Sequence, residues 1–486
     1  MTLKILVMAV YIALIVAISI GRGRRTRTFF DFFMGGGAIG PWMTAFTYGA
    51  AYFSAVLFIG FAGKVGWGFG YSGLWIAVGN TLIGVLAAWW LLGLRVKTMA
   101  QEYGVTTMAE FFEKRYQSRF LKVFSPLCIF IFFVPYSAAV FIGLSYLFRL
   151  NFNMEYWQAL VLMGLFTAFY LAVGGYRSMT MLDVMFGILM LAGGAVLFVN
   201  ILIKSGGLPA IGSGLSAIDP KLVAAVGPPG LWPLFALVFL TSVAPFGMPQ
   251  LIQKFYAVRD RRAIRAGMWI STLFAAILAG VAYFAGSVTR IYLSPESAPG
   301  AFSGGKPVFD ALMPELLARV VPPSLLVLIL LLILSASMST LAALVLISSS
   351  AVAKDLYAGF IRPQPSDRTL TLMMRVLSIF FVFISAVLAY FRPATIVSIL
   401  GISWGAIGSV FLGPFVWGLL SRRVGKAAAI SASVLALTVC LTLYLRGVPS
   451  PEAGTIGMIV SLVVPPVFSL FQKKMSGQIN RNGPFY

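Results

Sequence analysis

Long apolar runs separated by short, mostly basic polar segments are the dominant pattern of this chain. Runs long enough to span a bilayer lie at 5–21, 41–62, 70–94, 123–148, 156–174, 180–203, 229–252, 267–289, 324–352, 371–391, 395–420, 427–445 and 454–472. Each holds roughly 17 residues or more, the length a hydrocarbon core of about 30 Å asks of a helix. The pattern predicts an all-α polytopic membrane protein with about 13 transmembrane helices. With an odd number of spans, the two termini lie on opposite faces.

The charges choose the orientation. If the N-terminus is outside, the inside segments hold 26 of the 36 basic residues, beginning with Arg22, Arg24, Arg25 and Arg27. The external segments hold only ten, a split that the positive-inside rule reads as N-terminus outside and C-terminus inside. The net charge of +22 is therefore largely an orientation signal and not a nucleic-acid footprint. With 60% hydrophobic and 10% charged residues, the chain matches no soluble domain. Cys128 and Cys440 both lie in apolar runs and imply no disulfide framework. There is no histidine, so the commonest metal ligand and general base is missing. The first apolar run is followed by a basic cluster instead of a small-residue cleavage site, and is expected to stay as the first helix.

Two runs are interrupted by residues that weaken helices. One carries Thr47-Tyr48-Gly49-Ala50-Ala51-Tyr52-Phe53-Ser54; the other carries Ser242-Val243-Ala244-Pro245-Phe246-Gly247-Met248-Pro249-Gln250. Pro245 and Pro249 each remove a ladder donor and free a carbonyl. The breaks are five runs apart, so each opens a block of five helices. Consecutive blocks with an odd number of helices insert with opposite orientation, the layout of inverted-repeat transporters. The division is 1–38, first helix and basic cytoplasmic loop; 39–205, first repeat; 206–228, external loop; 229–421, second repeat; and 422–486, two last helices and a cytoplasmic tail. Thr106 to Arg119 reads as a short amphipathic helix on the cytoplasmic face, and 294–323 as a long external segment able to form a lid.

Chemistry is sparse inside the apolar runs. Leu334-Ser335-Ala336-Ser337-Met338-Ser339-Thr340 is a hydroxyl-bearing island in a run of Leu, Ile, Val and Ala. On a helix Ala336, Ser339 and Thr340 share one face, because they stand at i, i+3 and i+4. An oxygen cluster without nitrogen or sulfur suits a hard cation; the alternative is close helix packing through small residues. Asp183 stands inside an apolar run, where a carboxylate is a functional candidate or else pairs with Arg177 or caps a helix near the interface. No Lys or Arg is expected deep in the membrane.

These residues resemble the sodium:solute symporters, which include the sodium/proline, pantothenate, monocarboxylate and glucose transporters. Four passages carry the resemblance: Phe33-Met34-Gly35-Gly36-Gly37 leading into Gly49 to Ala55; Tyr170 to Tyr176 followed by Asp183; Gly247-Met248-Pro249-Gln250 running to Lys254; and Ala336 to Thr340 followed by Ser349-Ser350 and Asp355-Leu356-Tyr357. The resemblance implies an inverted five-helix repeat of the leucine-transporter type. It implies a sodium site formed by the carbonyls of Ala50, Phe53 and Ala336 and the hydroxyls of Ser339 and Thr340. Family members that bind a second sodium use the aspartate matching Asp183 together with serines that are Ala342 and Ala343 here, so one sodium per cycle is expected. An arginine and an aspartate of the proline transporters match Gly37 and Tyr52, and the sugar transporters' inner-gate tyrosine matches Ala244. Few polar groups remain for a sugar. The expected solute is an amino acid, a monocarboxylate or a related organic acid, lined by Tyr52, Ser54, Ser242, Gln250, Ser403 and Trp404, with its carboxylate at a broken-helix N-terminus.

The reading is thus sodium-coupled uptake by alternating access, in a multi-pass inner (plasma) membrane protein acting as a monomer. Its partners are sodium ion, a small-molecule solute and the lipid bilayer, with no nucleic acid. Proton coupling through Asp183, or sugar transport on the same fold, is the alternative. A membrane-embedded enzyme or a sensor is disfavoured: no nucleophile is paired with a base.

Overall fold

The computed structural model describes residues 2–23, 28–37 and 39–479. Met1, Arg24, Arg25, Arg27, Arg481 and Tyr486 lie outside the described residues. Among the described residues, the helices that frame the bundle and its ends are α1 (Thr2–Gly23), α2 (Pro41–Tyr52), α3 (Val56–Tyr103), α4 (Met108–Tyr116), α5 (Arg119–Phe152), α6 (Tyr156–Ser205), α7 (Leu231–Val243), α8 (Pro249–Ala257), α9 (Arg261–Ser287), α10 (Phe309–Val320), α11 (Leu326–Ser350), α12 (Asp367–Phe391), α13 (Ile396–Leu420), α14 (Lys426–Leu445) and α15 (Ser450–Ile479); shorter helices, Leu208–Ile218 among them, lie in the connections. Among the described residues, the strands are a two-residue antiparallel pair, Phe302–Ser303 with Lys306–Pro307.

Ten of these helices are long and apolar enough to cross a membrane, or 11 when α7 and α8, bent by 43° at their junction, are taken as one span. Two of the ten exceed one crossing. α6 has 50 residues and α3 has 48, about 75 and 72 Å of helix against a core of about 30 Å. Each is broken at a glycine. Gly175 takes φ 62, ψ −173 inside α6, and a side chain there would strike the Phe32 ring. Gly70 takes φ 57, ψ −134 inside α3, and a side chain would run into the Leu222 carbonyl.

Burial ranks the helices. The helix continuing from α11 to Ile361 is 94% buried over its apolar window, while α1 is 22% and α12 and α14 are 33% buried. α11 is therefore the central post and the others form its outer wall. Large apolar side chains such as Trp90, Ile203, Trp269 and Phe383 face outward, as a bilayer permits and water does not. Polar loops pack on both ends. α4 starts with a capping box, Thr107 and Glu110 satisfying each other's amides, and stops where Gln117 turns left-handed at φ 49. Its apolar face stacks on α13 through Phe112 against Phe411 and Phe111 against Phe415. The segment 294–323 folds as the small hairpin and α10. Asp310 of α10 accepts the Ile396 amide at 3.2 Å, tying α10 to the start of α13.

Candidate functional site

The two interrupted runs are broken helices. α2 ends at Tyr52, and Phe53 is extended at φ −108, ψ 133. The helix resumes near Val56 with wide π-type winding. The break removes the normal donors from the last carbonyls of α2. Ala55 N–H, for example, donates to Ser337 Oγ at 3.0 Å instead of continuing the ladder. α7 ends at Val243, a single 3₁₀ turn covers Ala244–Gly247, and Pro249 opens α8 at a position that needs no N–H.

α11 presents its hydroxyl island to the first break. Thr340 Oγ lies 3.5 Å from Ala50 O, 3.3 Å from Ala51 O, 3.3 Å from Phe53 O and 3.1 Å from Ala336 O. One hydroxyl proton serves at most one of four carbonyls. Oxygens about 2.4 Å from a shared hard cation and at right angles about it stand about 3.4 Å apart, which is this spacing. Ser339 Oγ is fully buried and makes no hydrogen bond. Its polar surroundings are Asp183 of α6 and, beyond it, Thr47 of α2. The structure thus gathers the oxygens of Ala50, Phe53, Ala336 and Thr340 directly, whereas Ser339 Oγ makes no hydrogen bond to any of them. Ala51 O joins the group although the sequence reading did not name it.

Asp183 is fully buried, and neither carboxylate oxygen has a hydrogen-bond partner. The charged group that faces it is Lys254 of α8, not Arg177. Lys254 is itself buried in the protein. All nine residues of α8 are buried, because the 43° bend turns this short helix into the bundle. The Lys254 ammonium lies 5.0 Å from the Tyr176 ring centroid.

Beside the first break is a small cavity with about 30 Å³ of free room, roughly one water's share of liquid volume. Tyr52, Ser54 and Trp404 line it, as do Phe53, Asn80, Tyr136, Thr241 and Tyr283, and no charged side chain does. The Tyr52 and Trp404 rings stack at 6.1 Å, with Tyr136 edge-on to Trp404 at 5.8 Å. Tyr52 OH donates to Thr241 O at 2.5 Å, bridging the two broken helices. Ser242, Gln250 and Ser403 lie outside this lining. Ser242 Oγ donates to Asn80 Oδ1, whereas the Gln250 amide and Ser403 Oγ are buried without partners. Asn80, a lone amide in an apolar run, was the signal in the sequence for this wall. The amides after the first break are taken by Ser337 and Ser54, so they are not free for a carboxylate. The side-chain donors at the wall are the Asn80 amide, the Ser54, Thr241 and tyrosine hydroxyls and the Trp404 indole N–H, the last without a partner.

The cytoplasmic mouth, as the charge pattern orients it, is laced by side chains. Lys354 pairs with Glu110 at 2.8 Å, Lys122 with Glu113 at 2.7 Å, and Thr107 Oγ donates to Asp355 at 2.7 Å. Burial alone would raise the Glu110 carboxyl, but Lys354 and the amides of Thr106 and Thr107 outweigh it and hold it below the usual carboxylate range. A separate groove of about 590 Å³ between the first half of α6 and α12 has an apolar wall and faces outward.

Two broken helices bridged by Tyr52, one of them opening an oxygen cluster to α11, in a helical membrane bundle are the architecture of a secondary transporter of the leucine-transporter fold. A Na⁺-coupled sialic acid symporter, solved in a substrate-bound outward-open state, superposes with a TM-score of 0.78 over 96% of this chain and 97% of that one, at 18% identity. Mhp1, a nucleobase-cation-symport-1 family transporter, superposes at 0.54 over 91% and 95%, at 14% identity. Residues 32–436 match the sodium:solute symporter family, and the chain belongs to it. Among its relatives, the sodium/pantothenate symporter of Escherichia coli strain K12 is 30% identical, covering 89% of this chain and 88% of that protein. The osmoregulated proline transporter OpuE of Bacillus subtilis strain 168 is 28% identical, over 93% and 91%. The sodium/proline symporter of E. coli K12 is 28% identical, over 97% and 94%.

Proposed function

We propose that this protein couples the entry of one sodium ion to uptake of a small organic solute by alternating access. The sodium ligands in this reading are the carbonyls of Ala50, Phe53 and Ala336 and the hydroxyls of Ser339 and Thr340. The observation that carries it is the spacing of Thr340 Oγ at 3.1–3.5 Å from four carbonyls. Uncharged oxygens suit a monovalent ion that must also leave, whereas a carboxylate cage would retain a divalent one. Sodium is cargo here, and these residues supply only its ligands.

The solute is an amino acid, a monocarboxylate or a related organic acid. The cavity wall supports a small amphipathic solute: the aromatic faces of Tyr52, Tyr136, Tyr283 and Trp404 stand beside the polar groups of Ser54, Asn80 and Thr241, and no charged side chain lines it. The relatives named for proline and pantothenate point to carboxylate-bearing solutes as well. The breaks at Gly70 and Gly175 divide α3 and α6, which raises the crossing number to thirteen when α2 and the start of α3 make one span and α7 and α8 another. The orientation is N-terminus outside and C-terminus inside, in a monomer of the inner (plasma) membrane. Proton coupling has one observation in its favour, the buried Asp183 carboxylate. Uptake into proteoliposomes under an inward sodium gradient at fixed pH, and under an inward proton gradient with potassium in place of sodium, separates the two. Sodium-dependent accumulation supports the proposal; accumulation driven only by a pH gradient refutes it.

A further inference from the structure

The outward groove between α6 and α12 has a regular build. On each helix the residues that line it recur at i, i+3, i+4, i+7, i+8 and i+11, over 157–168 on α6 and 379–390 on α12. Each helix therefore gives one straight stripe. A stripe of that length covers about 17 Å of helix, against about 15 Å for half of a hydrocarbon core. The two helices run antiparallel: Tyr156 OH, at the start of α6, donates to Ala389 O at 2.7 Å, near the end of α12. The groove thus opens at one membrane surface and ends near the midplane. Its floor is Leu160, Gly164 and Val382, all buried, and the exposed Leu165 and Phe383 stand on its rims. Gly164 keeps the floor deep, because a Cβ there would meet only the Ala386 methyl, at 3.9 Å.

The mouth has a different chemistry. Trp157 and Tyr390 line it, both exposed. Arg392 caps α12 in the left-handed conformation, φ 45, and holds its guanidinium 4.3 Å from the Tyr156 ring centroid. It is exposed, and among the described residues it makes no ion pair. Two carboxylates are near this end. Glu155 precedes α6 and is exposed; Asp310 shares a neighbouring recess with Arg392 but accepts the Ile396 amide.

We propose that this groove binds an anionic glycerophospholipid of the adjoining leaflet, with one acyl chain along the stripe and the phosphate against Arg392. The depth of the groove matches one leaflet and not a whole bilayer, as a single lipid chain requires. An apolar, concave wall gives that chain more contacts than a flat helix face would. Trp and Tyr favour the interfacial depth at which a lipid headgroup lies. A guanidinium offers paired donors that match phosphate oxygens, and its charge attracts an anionic headgroup. A second copy of the chain fits the groove worse. About a two-fold axis along the membrane normal, two concave faces would meet over a void, with both Arg392 side chains at the same depth.

The test is native mass spectrometry of the delipidated protein in detergent. It is titrated with dioleoylphosphatidylglycerol, or with dioleoylphosphatidylcholine, which has the same chains and no net charge. Wild type is expected to retain one phosphatidylglycerol per chain, about fivefold more tightly than phosphatidylcholine. Gly164→Leu fills the floor and is expected to weaken both lipids about tenfold. Ala386→Leu fills the groove from the opposite wall and is expected to do the same, should Gly164→Leu not fold. Arg392→Gln leaves the groove open. It is expected to lower phosphatidylglycerol to the level of phosphatidylcholine and to leave phosphatidylcholine unchanged. Unchanged retention in a leucine variant that keeps the wild-type melting temperature places the bound lipid elsewhere and overturns the inference. A preference for phosphatidylglycerol that survives Arg392→Gln overturns it as well. So does a wild-type dimer that Gly164→Leu dissociates, since a second copy would then cover the groove.

Discussion

Thr340→Val removes one oxygen and little else. In the structure the hydroxyl sits among four carbonyls but can donate to only one, so its contribution to folding is that of a single buried hydrogen bond, about 1 kcal/mol net. In a chain of this length that moves the melting temperature by about two degrees or less. As a sodium ligand the same oxygen acts on a full charge. Its removal is then expected to weaken binding by about 1.5–3 kcal/mol, the range for hydrogen bonds to charged groups. That corresponds to a roughly ten- to hundredfold rise in the sodium concentration required. The two roles therefore differ in which observable moves. Ser339→Ala is expected to follow Thr340→Val, since Ser339 Oγ has no bond to lose. Because linkage is reciprocal, solute affinity should fall in the variants at fixed sodium and in wild type when potassium replaces sodium. The assay is sodium-dependent solute uptake and melting temperature for wild type, both single variants and the double variant. If half-saturation by sodium stays in place while melting falls by many degrees, these hydroxyls serve helix packing and the assignment is wrong.

Further outcomes are expected elsewhere in the molecule. Single cysteines in a cysteine-free background should react with an impermeant maleimide from outside near the N-terminus and from inside near the C-terminus; the reverse pattern would refute the charge-based orientation. Tyr52→Phe removes the 2.5 Å bridge to Thr241 O and should weaken solute binding about fivefold, with less effect on sodium binding without solute. Lys354→Met breaks the pair with Glu110 and should speed maleimide labelling of Ser350→Cys, as the cytoplasmic mouth loosens. Burial pushes the Asp310 carboxyl from the ordinary 3.8 up to about 6, against the Ile396 amide and Lys64, which pull it down. Between those values the docked carboxyl keeps a proton that an undocked one releases, so docking of α10 weakens as pH rises through that window and is strongest below it. The effect is at most about 3 kcal/mol. Asp310→Asn should remove it, read as the difference in melting temperature between wild type and variant at pH 4 and pH 7; a difference independent of pH would refute the coupling.

The amino-acid sequence alone determined the class of the molecule, because the bilayer imposes rules that are local. Helix length, apolar content and the bias of basic residues can each be read from short windows, and so could both broken helices, because proline and glycine act on their own backbone. The hydroxyl island of Ser339 and Thr340 was legible for the same reason. What these local signals could not supply is which groups meet. That Ala51 O joins the oxygen cluster depends on how α2 leans against α11. Lys254 reads in sequence as a charge at the end of an apolar run; only the 43° bend before α8, and the packing of all nine of its residues, bury that charge in the protein. Gln250 and Ser403 sit in the right helices yet outside the cavity wall, while Tyr136, Tyr283 and Asn80 come from runs that showed no break. Side-chain direction in a bundle is set by the rotation of each helix against its neighbours. That rotation is a sum over many contacts distant in sequence, so the tertiary structure alone decided it.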